Sequence, residues 1–294
     1  MHDIHEQFMQ QWRKESGGML NHDGAITAAY YTSEPRICFI LKETHATANG
    51  IDIRTSIVDA LSNPRSGWRT KSKVLPRIGR LAYGMLNEEQ NFQQAKKNQF
   101  SDDVLKKIAW INILKTSGKR STPPKKLESF VSQQRINIIR QLDILSPDIL
   151  VCCGVYSVMK RHIFRDIIKL SSHLCFSDGR YIIDSFHPAY YGVTAENIYS
   201  RVMSANELIR RINAMKYDQG EFKCFCEELL DGRSENLNQL IVMATSIDYK
   251  HAQWFLGWLY ENGKIVNQSS ENAAFWFKKA LSDQSAKEAL ILGV

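Results

Sequence analysis

The sequence lacks any CxxC pair among its six cysteines, and it lacks any apolar run near the ~20 residues that a membrane-crossing helix needs. Cys38, Cys152, Cys153, Cys175, Cys224 and Cys226 are scattered, and several sit inside apolar runs, where a reduced cysteine behaves as a small hydrophobe. Neither a disulfide framework nor a metal centre is expected, and no cofactor. Residues 1–18 carry charge throughout and have no apolar core of signal-peptide length, so a cytoplasmic protein with no membrane partner is expected. Acidic residues are also scarce in one stretch. Between residues 65 and 140 there are 17 Lys and Arg against 5 Asp and Glu, within a chain whose net charge is +7. A block this one-sided suits a polyanion, because each cation placed at a phosphate releases a counterion. A solvated basic face with no partner is the plainer alternative.

What is present alternates. Residues 36–41 (RICFIL), 108–114 (IAWINIL), 148–154 (DILVCCG) and 180–184 (RYIID) are short, branched or aromatic apolar runs. Continuous apolar runs suit strands buried on both faces. Between them lie helical patterns such as KVLPRIGRLAYGML and VYSVMKRHIFRDII. The expectation is an α/β fold, a central and mainly parallel sheet flanked by helices over residues 1–215.

The last part repeats itself. SENLNQLIVMATS starts at Ser234 and SENAAFWFKKALS at Ser270, a shift of 36 residues that also carries Leu256-Gly257 onto Leu292-Gly293. A period of this length marks paired helices that bury their faces on their neighbours. Ala252, Leu256, Gly257, Tyr260 and Gly263 before Ala273, Trp276, Lys279 and Ala280 resemble the Sel1-like repeat, with small residues where helices touch. Residues 221–294 are therefore expected to form a short all-α repeat region. Such arrays resemble protein-binding scaffolds, which implies a protein partner; the alternative is a helical buttress. A chain ending near Met215 is expected to remain folded.

In parallel sheets, ligands bind outside the carboxyl ends of the strands. The first strand runs into Lys42, Glu43, Thr44 and His45, the second contains Asn112 and leads to Lys115, and the fourth leads into Ser185-Phe186-His187-Pro188. Singly, Glu43 could be a helix cap, Asn112 a core amide and His187 a turn residue. Together they bring a carboxylate, an amide and an imidazole to one edge of the sheet.

These segments resemble the uracil-DNA glycosylase superfamily. FILKETH stands where that family has a strand ending in a carboxylate-bearing loop, WINILKTSGKRSTPP resembles its Asn-bearing strand and basic segment, and SFHPAYYGV its His-Pro loop. The likeness spans about 36–215. It implies a DNA glycosylase that flips out a modified or damaged pyrimidine and hydrolyses its N-glycosidic bond. The base could be uracil or a modified base of phage DNA, and an abasic site remains. The same resemblance implies roles for single residues. Glu43 would orient water and His187 would donate to the departing base. Asn112, Lys42, His45 and the stacking Trp68 would hold the flipped base. Tyr190 or Tyr191 would enter the vacated stack. Arg65, Arg69, Lys71, Lys73, Lys115, Lys119, Arg120, Lys125 and Lys126 would contact DNA phosphates. Some relatives act against phage genomes, which would suit a repeat tail. The rival expectation is a catalytically silent DNA-binding adaptor that recruits partners through its repeats.

Overall fold

The structure, a computed structural model, describes residues 1–44, 49–101, 104–118, 122–233 and 235–281. It divides into two bodies, residues 1–167 with 180–205, and residues 168–179 with 206–294. Thirteen α-helices and seven strands lie among the described residues.

The first body begins with helix α1 (His2–Glu15) and strands β1 (Gly24–Ala25) and β2 (Ile37–Glu43). Helices α2 (Ile53–Ser62), α3 (Gly67–Thr70), α4 (Val74–Asn87) and α5 (Phe92–Lys97) follow. Then come β3 (Ala109–Leu114), α6 (Pro124–Gln133), α7 (Arg135–Leu145), β4 (Ile149–Cys153) and α8 (Tyr156–His162). Strands β5 (Ile168–Lys169) and β6 (Leu174–Ser177) belong to the second body, and β7 (Arg180–Ser185) returns to the first. Helix α9 (Ala195–Ala214) contains the boundary between the two.

The strands of the first body lie in the order β1-β3-β2-β4-β7. Pairs β3–β2, β2–β4 and β4–β7 are parallel, and β1 is antiparallel on the β3 edge. The mainly parallel α/β sheet is thus present. Every residue of β3 and β4 is buried, which is why their sequences read as unbroken apolar runs. Register sets Leu41 opposite Asn112, Glu43 opposite Leu114, and Cys153 opposite Ser185. The carboxyl ends of β2, β3, β4 and β7 therefore finish at one edge. Cys38, Cys152, Cys153, Cys175 and Cys226 are buried, whereas Cys224 is exposed. No helix among the described residues is long and apolar enough to cross a membrane.

The second body holds the antiparallel β5–β6 ribbon and helices α10 (Gln219–Leu230), α11 (Asn236–Thr245), α12 (Lys250–Asn262) and α13 (Ser270–Ala280). Helix α12 packs on both α11 and α13. Gly263 ends α12 in the left-handed region, φ +61°. Gly257 lets α13 approach, since a Cβ there would stand 2.9 Å from the Phe277 ring. Gly257→Val is expected to destabilise this body by about 1–3 kcal/mol, the usual cost of overpacking. Faster amide exchange confined to α12 and α13 would show it.

Candidate active site

The carboxyl edge of the parallel strands encloses a cavity of about 1060 Å³ within the first body. Its wall includes seven residues anticipated from the sequence, Lys42, Glu43, Trp68, Asn112 and His187 as catalytic or base-holding groups and Lys71 and Tyr190 as DNA contacts.

Glu43 is the last residue of β2. Gly118 packs directly on its side chain, where a Cβ would overlap the Glu43 Cγ. The Gly118 N–H is tied to the Thr44 carbonyl at 2.9 Å, which holds that backbone against the carboxylate. Glu43 Oε2 is buried and has no hydrogen-bond partner among the described residues. A buried carboxylate oxygen left unpaired is costly, so a donor brought to it by water or ligand is favoured.

Asn112 lies within β3 and is 3 % exposed. Its Nδ2 donates to Thr44 Oγ1 (2.7 Å), and its backbone N–H donates to Asp23 Oδ2 (2.8 Å). The amide is thereby oriented from both ends. Lys42 Nζ donates to the Thr122 carbonyl at 2.8 Å, which fixes a cation beside His187.

His187 opens the loop after β7. The Ala189 N–H donates to its Nδ1 at 3.1 Å, so the neutral imidazole carries its proton on Nε2. Burial first, and the Lys42 charge second, push its pKa below the ordinary histidine value. At neutral pH the ring is thus uncharged and presents an Nε2–H donor. The loop is held in three ways. Gly154, at φ +72°, runs so close that a Cβ there would stand 3.1 Å from the His187 Cβ. Arg77 donates to the Pro188 carbonyl, and the Tyr190 N–H donates to the His187 carbonyl at 2.8 Å.

Trp68 sits in the short helix α3, where the Ser66 hydroxyl accepts the Trp68 backbone N–H. Its ring meets Trp110 edge-on, 6.3 Å between centroids at 72°. Tyr190 stacks on Phe186 (5.8 Å, 14°), and the Arg201 guanidinium covers Phe186 at 4.6 Å while pairing with Asp184. Tyr191 is almost wholly exposed.

Sequence reasoning overlooked Trp110, Asp184, Phe186 and Arg201, all of which line the cavity. Asp184 and Phe186 adjoin the His-Pro pair and could have been read with it. Arg201 has no local signal, since it enters from α9.

The anticipated phosphate-binding residues separate. Arg65, Lys71, Lys73, Lys125 and Lys126 are exposed. Arg69 is half-buried, stacked on Phe100 at 4.2 Å and donating to the Leu61 carbonyl. His45, Lys119 and Arg120 lie outside the described residues. Lys115 is a correction: it is fully buried and reaches no phosphate. Its ammonium donates to Asp23 Oδ1 (2.7 Å) and Gln141 Oε1 (2.7 Å), both on fully buried side chains. Burial lowers its pKa, and the Asp23 carboxylate opposes that shift.

No protein-family model, curated protein or solved structure matches the chain. A functional reading therefore rests on this cavity and the residues around it.

Proposed function

We propose that the first body is a DNA glycosylase that takes a flipped pyrimidine, uracil or a modified or damaged base, into the cavity and hydrolyses its N-glycosidic bond. One observation carries the reading: Glu43, Asn112, His187 and Trp68, drawn from four separate segments, line one cavity at the carboxyl edge of the sheet. About 1060 Å³ is enough for a nucleotide-sized ligand, since such pockets run to roughly 1,000 Å³. Cleavage develops positive charge on the sugar and negative charge on the leaving base. The Glu43 carboxylate orients the attacking water and faces the sugar; the His187 Nε2–H donates to the base as it departs. Asn112, with one amide hydrogen given to Thr44, reads the base edge with what remains. Trp68 offers the stacking face that an extruded base needs.

The test is incubation of the purified full chain with oligonucleotides carrying uracil and other altered pyrimidines, followed by alkali to cut abasic sites. Strand scission at one modified position is the expected result. Intact strands from every substrate would favour the silent adaptor instead.

Lys125 and Lys126, exposed in the first turn of α6, hold phosphates outside the cavity in this reading. Replacing both by Ala is expected to weaken DNA binding across sequences. The log–log salt slope should fall by roughly 0.7–0.9 for each phosphate that is no longer neutralised. An unchanged slope would make this helix end a solvated face.

A further inference from the structure

A second group of side chains in the first body lies at the start of α1 and takes no part in the cavity. His5 is fully buried and His22 nearly so. His5 Nδ1 and His22 Nε2 are buried atoms with no hydrogen-bond partner among the described residues. Glu6 lies between them, with Oε1 3.6 Å from His5 Nδ1 and Oε2 3.5 Å from His22 Nε2. Those separations are too long for N–H···O bonds, whose range ends near ~3.2 Å. Each ring faces a different Glu6 oxygen, and an ion between them needs only a small closing of these gaps. Ligands bound at ~2.0–2.1 Å around a tetrahedral zinc stand roughly 3.3–3.4 Å apart along each edge. Donor atoms of His5, Glu6 and His22 all lie within 4.8 Å of one another. His2 Nδ1 is 4.0 Å from Glu6 Oε1 but stands outside this group of three.

We propose that His5, Glu6 and His22 form a zinc(II) site, with water as its fourth ligand. Two imidazoles and a carboxylate are a donor set that a borderline-soft divalent ion takes readily.

The surroundings hold the ligands. Arg54 donates to both Glu6 oxygens and to Asp52, fixing the carboxylate while leaving lone pairs for the ion. The His22 backbone is pinned by its N–H to the Ile51 carbonyl (2.8 Å) and by its own carbonyl accepting the Ile53 N–H (2.9 Å). Binding asks one adjustment. His5 Nε2 lies 3.3 Å from Gln141 Nε2, and the Lys115 bond to Gln141 Oε1 fixes that amide's orientation. Loading the ion moves the His5 proton to Nε2, and the Gln141 amide gives way toward Asp23 Oδ1 and Met9 Sδ, which it already touches. The ion would tie α1 to the segment before β1, a role separate from base release.

The sequence pattern conceals this group. His2, His5 and Glu6 share one helical face, but His22 stands 17 residues beyond His5, and none of the six cysteines lies near them in the chain to mark a ligand set.

The full chain would be incubated with zinc sulfate, desalted and assayed for metal, beside the His22→Gln and Glu6→Gln variants. One zinc per chain is expected. Loss of a single ligand should weaken binding by at least about 10²-fold, since loss of an outer-shell partner alone costs 10–100-fold. Adding a chelator should lower the melting temperature of the wild type and leave His22→Gln unmoved. Cobalt(II) should give the visible bands of a four-coordinate nitrogen–oxygen set. A wild type that retains no zinc overturns the proposal, as does equal retention by both variants. Should both variants unfold, the wild-type cobalt spectrum decides, and absence of those bands overturns it.

Discussion

Glu43→Gln is expected to slow single-turnover base release by on the order of 10²–10⁴-fold, the range for a positioned acid–base group, while leaving the fold intact. The substitution keeps the side-chain volume against Gly118, and Oε2 makes no hydrogen bond among the described residues that could be broken. DNA binding should persist or tighten, because a negative charge near phosphates has gone. His187→Ala should also slow release without abolishing binding, since its Nε2–H acts on charge that grows toward the transition state. Rapid-quench measurement of abasic-site formation, beside a filter-binding titration, separates the two effects. A double variant as fast as wild type on whichever base the wild type removes would sink the mechanism.

Asp23→Ala should produce the largest loss of stability, about 3–5 kcal/mol, because it strands the Lys115 ammonium in a fully buried site. Lys115→Met should cost less. Asp23 would keep two donors, the Asn112 backbone N–H and Gln141 Nε2, whereas Lys115 without Asp23 keeps only Gln141 Oε1 as an acceptor among the described residues. Urea unfolding of both variants reads the order directly. If Lys115→Met proved the more damaging, this account of the pair would be wrong. Asp23→Ala should also loosen Asn112, whose backbone it anchors in the cavity wall.

The four long strands of the first body were legible because each is buried on both faces and reads as a continuous apolar run. Strands β1, β5 and β6 were not, since two to four residues carry no readable period. Glu43, Asn112 and His187 could be found because strand exits are where a parallel sheet presents side chains. Lys115 follows the same rule by position and breaks it by burial. Its partner Asp23 lies 92 residues earlier, and nothing near Lys115 in sequence announces it. Arg201 is the converse case, a basic residue in an ordinary amphipathic helix whose cavity role comes only from packing over Phe186. The repeated SEN motif pointed to the helices of the second body, but it gave no sign that residues 168–179 join them.

That early segment sets an order of events during synthesis. The β5–β6 ribbon emerges before any of the helices it is grouped with. The Lys169 carbonyl takes its hydrogen bond from Asn238 Nδ2, 69 residues later in the chain. Translation must therefore run well past α9 before the Lys169 carbonyl meets its α11 donor, and until then that group stays open to water. A stop codon near Met215 would leave that one carbonyl without its α11 donor. An expression clone that spans residues 168–179 should therefore carry the chain through α11, so that Asn238 is present to close the bond.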